Sequence, residues 1–86
     1  MDNRIELESL TEQDQDELYE YLKNWFSKQG REFDRSDMYD TVDCDCMLFE
    51  CIEDLLAFED EDDPELSLDE KDVSFVTTSG IVVVFG

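Results

Sequence analysis

Apolar and polar residues follow two different rhythms along this chain, and each change of rhythm marks an element. Over residues 4–8, Arg-Ile-Glu-Leu-Glu alternates with a period of two, the pattern of a half-buried strand. From Glu12 the spacing lengthens. At 100° per residue Leu18, Tyr21, Leu22, Trp25 and Phe26 share one face of a helix. Thr11 is placed to cap its start, and Gly30 to end it after Gln29 in the left-handed conformation that closes many helices. Residues 31–40 hold no sustained period and predict an irregular segment anchored by Phe33, Met38 and Tyr39.

A second helix is predicted to begin between Thr41 and Cys44 and to end near Phe58 or Glu59. Cys44, Leu48, Cys51, Ile52 and Leu55 form its central apolar stripe, broadened by Met47, Phe49, Leu56 and Phe58. Pro64 pushes the residue before it out of the α region, so residues 59–72 read as a loop, tied down by Leu66 and Leu68. Residues 73–78 and 81–85 are β-branched and aromatic, with Ser79-Gly80 between them as a hairpin turn. The last of these is apolar on both faces, as a central strand is.

The expected fold is a small single α+β domain over residues 1–86 in the order β-α-α-β-β. The C-terminal hairpin and the N-terminal strand make a three-stranded sheet, with two helices packed on one face. Val82 and Val84, with Val76, then lie on a face without predicted cover. That face suits a homodimer with a second copy of the chain, or a fold-back of the irregular segment.

Charge changes this picture. Twenty-six Asp and Glu stand against six Lys and Arg, a net charge of -20 over 86 residues. With 41% hydrophobic residues there is enough to build a core, so the acidity is not that of a disordered chain. Small designed domains are usually held to a magnitude of roughly 2–8. Charge this far from zero pushes the compact state apart, and salt relieves it. Nucleic acid and anionic membrane would repel such a surface, so a basic protein is the expected partner. An acidic surface also suits a halophilic cytosol, which composition does not distinguish.

The carboxylates fall in rows. Glu12, Asp16 and Glu20 recur every four residues on the first helix, opposite its apolar face. Glu50, Glu53 and Asp54 face outward on the second. Glu59, Asp60, Glu61, Asp62 and Asp63 form an unbroken run after it. Neighbours four apart on a helix lie about 6 Å from one another at Cβ. A DNA strand carries a phosphate every 3.4 Å or so of axis, so rows on two helices and a loop approach the charge density of a duplex.

Little else in the sequence carries chemistry. There is no histidine, and the three glycines, at 30, 80 and 86, form no phosphate-cradling loop, so an enzyme is not expected. Cys44, Cys46 and Cys51 offer three thiols where structural zinc takes four ligands, and on a helix Cys46 would point away from the other two. Glu59, Glu61, Asp63, Ser67 and Glu70 resemble the ligand positions of an EF-hand loop. Pro64, however, stands where that loop needs glycine. No metal or cofactor is expected. The start, Met-Asp-Asn-Arg, lacks the basic and then apolar pattern of a secretory leader, and no apolar stretch approaches the ~20 residues of a membrane span. A reduced, cytoplasmic protein is expected.

In size and charge, though in no motif, the chain resembles the DNA mimics of phages and mobile elements: anti-CRISPR, anti-restriction and nuclease-inhibitor proteins. The resemblance implies an inhibitor that occupies the basic site of a CRISPR effector, restriction enzyme or nuclease in the host cytoplasm. Two other readings stay open. One is an immunity protein that neutralises a basic toxin. The other is a protein-interaction module whose charge serves solubility.

Overall fold

In the computed structural model, which describes residues 3–59, 65 and 67–85, the helical pattern after Thr11 forms as the sequence predicts. Helix α1 spans Glu12–Lys28, and the Thr11 hydroxyl accepts a 3.2 Å bond from the Asp14 N–H. Gly30, just beyond the helix, has φ +73°, a conformation that glycine adopts without strain. Leu18 and Leu22 are fully buried.

The second predicted helix is replaced by three elements. Helix α2 (Arg35–Asp45) lies largely in the stretch expected to be irregular, and strand β1 (Cys46–Phe49) lies where the middle of the expected helix would be. Only a short helix, α3 (Ile52–Leu56), remains of its second half. The cause is an overlooked capping box. Asp34 Oδ1 accepts from the Ser36 and Asp37 N–H groups, and Asp37 Oδ2 accepts from the Asp34 N–H. With the helix starting there, Asp43 and Asp45 fall in its last turn, where carboxylates oppose the negative end of the helix dipole. The helix stops, and Cys46 is already extended at φ -118°, ψ 152°.

The sheet is completed by β2 (Phe75–Val76) and β3 (Val82–Phe85) in the antiparallel order β1-β3-β2. The expected α+β class, three-stranded sheet and central last strand are all present. The strand beside the centre differs: Leu48 pairs with Val83, and Phe49 with Val82. The N-terminal segment instead lies at the outer edge of β1, where the Ile5 N–H donates a 2.9 Å bond to the Leu48 carbonyl. It then folds into a 3-10 turn (Leu7–Ser9), which Gln15 holds by bonds to the Leu7 and Leu10 carbonyls. The β2–β3 turn closes through Thr77 and Ile81, with Gly80 at φ +103°.

Strand alternation sends side chains to two cores. Leu48 and Val83 join Leu18, Leu22, Met38 and Val42 beneath α1 and α2. Phe49 and Val82 join Leu55, Phe58 and Leu68 on the opposite face. This second core corrects the expectation of an open face at Val82 and Val84, whereas Val76 is exposed as expected. Val82 is only 3% exposed and Val84 is half-buried, because α3, Phe58 and Leu68 already cover them within one chain. Leu68 thus holds down its segment as expected, whereas Leu66 lies outside the described residues.

Candidate functional site

Helix α1 carries the first acidic row, and two further carboxylates lock it to the sheet. Asp14 is 3% exposed and accepts a 2.6 Å bond from the Ser79 hydroxyl. That bond, aided by the Thr77 and Thr11 hydroxyls, holds its carboxyl below the ordinary range although burial pushes the other way. One turn on, Glu17 Oε1 accepts from the Thr78 N–H at 3.0 Å and from its hydroxyl at 2.6 Å. Glu17 Oε2 is shut away from solvent with no hydrogen-bond partner among the described residues. These contacts fix which way α1 faces. Glu12, Asp16 and Glu20 are left exposed along it, as the sequence predicts.

Asp16 is shared. Arg35, at the start of α2, approaches it to 2.7 Å while lying over the Tyr19 ring at 5.3 Å. Both side chains are well exposed, so the pair adds less than about 1 kcal/mol, but it sets α2 beside α1 on the same face of the sheet. Exposed Asp37, Asp40 and Asp43 of α2 therefore extend the acidic layer that α1 begins. These three were not among the residues singled out from the sequence. The Asp34-x-x-Asp37 spacing was the signal that could have found them. Asp34 itself is held below the ordinary carboxylate range by its bonds to Ser36 and Asp37.

Two depressions flank this layer. A groove of about 620 Å³ runs between the N-terminal segment and α2, over β1; Glu6, Glu8, Asp40 and Asp43 line it together with Tyr39. On the other side, between α1 and β2, a shallow cleft of about 420 Å³ is lined by Gln13, Asp16, Glu17, Glu20, Tyr21 and Phe75.

The remaining predicted residues do not join this layer. Glu50 and Glu53 are exposed and Asp54 is half-buried, but they belong to α3 and the turn before it, and α3 packs on the opposite face of the sheet. Glu59 is exposed on that chain segment too. Asp60, Glu61, Asp62 and Asp63 lie outside the described residues, and with them two of the five positions of the calcium-loop pattern, Glu61 and Asp63. A single surface made from the α1 row and the α3 carboxylates is therefore not what the fold builds.

Four of the six basic residues are placed over rings. Arg4 lies 5.5 Å from the Phe58 centroid, Arg31 5.9 Å from Phe26, and Lys23 5.8 Å from Tyr19, besides Arg35. The cysteines reverse the expected arrangement. Cys44 and Cys51, predicted to point inward, are exposed, and Cys46 is the one turned toward the core. Its thiol is pushed up to about 12 by burial and by the neighbouring Asp45 charge. Among the described residues no group of three or more His, Cys, Asp and Glu side chains is placed to hold a metal ion, and no helix is long and apolar enough to cross a membrane.

Comparison of the chain with models of protein families, with curated proteins and with solved structures found no match. The functional reading rests on the residues themselves.

Proposed function

We propose that this protein is a non-catalytic inhibitor that presents the charge density of a nucleic acid and so occupies the basic DNA- or RNA-binding site of another protein. One observation carries the reading. A net charge of -20 on a molecule 35 Å in its longest dimension amounts to roughly one charge per 1.8 Å of that length, and duplex DNA carries one per about 1.7 Å. That length is also close to one duplex turn, about 34–36 Å. The contact surface in this proposal is the α1–α2 layer: Glu12, Asp16 and Glu20 with Asp37, Asp40 and Asp43. The carboxylates around α3 strengthen the field from behind. A CRISPR effector, a restriction enzyme or a nuclease, met in the host cytoplasm, has the basic groove such a surface fits.

Binding would follow the physics of the nucleic acid it replaces. Counterions released from both surfaces favour the contact, so affinity should fall steeply with salt. The test is capture of lysate proteins on the immobilised chain, with and without excess duplex DNA or RNA, at low and at high salt. A basic nucleic-acid-binding protein that is retained, then displaced by competitor and by salt, supports the reading. A partner that survives both overturns it.

A further inference from the structure

Within the acidic layer one patch differs in kind. The cleft between α1 and β2 has an aromatic lining, Tyr21 and Phe75, whose rings stack on one another with centroids 4.9 Å apart and planes 11° from parallel, so a third flat group would meet an outer face of the pair. Carboxylates surround that lining: Asp16 and Glu20 on the exposed side, and Glu17 at the wall. Glu17 spends one oxygen on Thr78, and its other is buried without a partner among the described residues. An apolar lining inside a charged rim is the arrangement of an interface hot spot. The chemistry it lacks is a cation with a flat face.

We infer that this cleft receives an arginine side chain from the partner's basic site, its guanidinium laid on an outer face of the Tyr21–Phe75 stack and paired with Asp16 and Glu20. The inference rests on the inhibitor reading above, and it names the group that reading leaves unnamed. Arginine fits better than lysine for two reasons. A guanidinium is planar and weakly hydrated, so it stacks on a ring while keeping in-plane donors for carboxylates, whereas an ammonium is a hydrated point charge. The molecule also uses this mode internally: Arg35 lies over Tyr19 and bonds Asp16, the residue that lines the cleft from its other side. Phosphate mimicry alone gives a contact blind to which cation it meets. The cleft adds selectivity.

The experiment compares binding of oligoarginine and oligolysine peptides of equal length by titration calorimetry. The charge layer should bind both. The cleft should make the arginine peptide about two- to fivefold tighter, the range expected of one exposed cation–ring contact. Tyr21→Leu with Phe75→Leu should erase that preference and leave lysine binding unchanged. Because this pair touches the first core, a surface variant accompanies it. Gln13→Lys places an amine at the mouth of the cleft and should erase the preference as well, while Gln29→Lys, of equal charge just past the far end of the same helix, should not. If wild type binds both peptides equally, or keeps its preference in both cleft variants, the arginine site is wrong and the charge reading stands. If neither peptide binds, both fail together.

Discussion

The Ser79 hydroxyl and the Asp14 carboxylate, 65 positions apart in the chain, meet at 2.6 Å. This bond ties the β2–β3 turn to the first turn of α1. Asp14 is nearly without solvent, so Ser79→Ala would leave a buried negative charge short of a donor. The expected loss is about 1–3 kcal/mol of unfolding free energy, read from urea denaturation. Thr78→Ala, whose partner Glu17 retains the backbone donor at 3.0 Å, should cost less.

Acid should act on stability in two opposite steps. Asp14 and Asp34 are held below their ordinary value of 3.8 in the folded chain. Each therefore contributes stability above the unfolded value that is lost as pH falls through the lower folded one. The many exposed carboxylates work the other way, since protonating them relieves a net charge of -20. Thermal midpoints should rise on mild acidification from neutral pH and drop once the pH passes below 3.8. Added salt at neutral pH should raise the midpoint as well. A midpoint that is flat with salt would mean that self-repulsion is unimportant.

Thiol reactivity separates the observed fold from the helix expected over the same residues. Cys44 and Cys51 are exposed, and Cys46 is half-buried with its thiol pushed up to about 12. Two fast phases and one slow phase should appear with a thiol reagent near neutral pH. Had residues 44–51 been helical, Cys46 would react first.

Charge reversal should map the contact layer. Changing Glu12, Glu20, Asp40 and Asp43 to Lys takes the net charge from -20 to -12, two units per reversal. Changing Glu50, Glu53, Glu59 and Glu70 does the same on other surfaces. The first set should weaken capture of a basic partner by more than about a hundredfold, and the second by much less. Equal losses would assign binding to overall charge with no contact face.

How far the sequence could be read depended on whether one period fitted a segment. Helix α1 was legible because Leu18 and Leu22 repeat at helical spacing between Thr11 and Gly30. Strand β3 was legible because Val82 to Phe85 suits no other element. Residues 46–49 were not, since Cys-Met-Leu-Phe is apolar at every position and fits a buried strand as well as a helical stripe. Asp43 and Asp45 add a second ambiguity. Carboxylates there look like the favoured first turn of a helix, yet they end one. Of the carboxylates singled out, those of α1 stand exposed along one helix, whereas those of α3 lie on the opposite face of the sheet and the carboxylates sharing a face with α1 belong to α2. No spacing rule could show the Tyr21–Phe75 stack, because its two rings come from opposite ends of the chain.

The imbalance of charge has a kinetic consequence. Arg4, Arg31 and Arg35 are held over Phe58, Phe26 and Tyr19 rather than left to sweep across the surface. With twenty-six carboxylates against six cations, the negative potential reaches outward wherever those cations lie. A cationic partner would be drawn in from beyond contact range and turned toward the face it is to meet. Association would approach the diffusion limit in dilute buffer and slow sharply as ions are added.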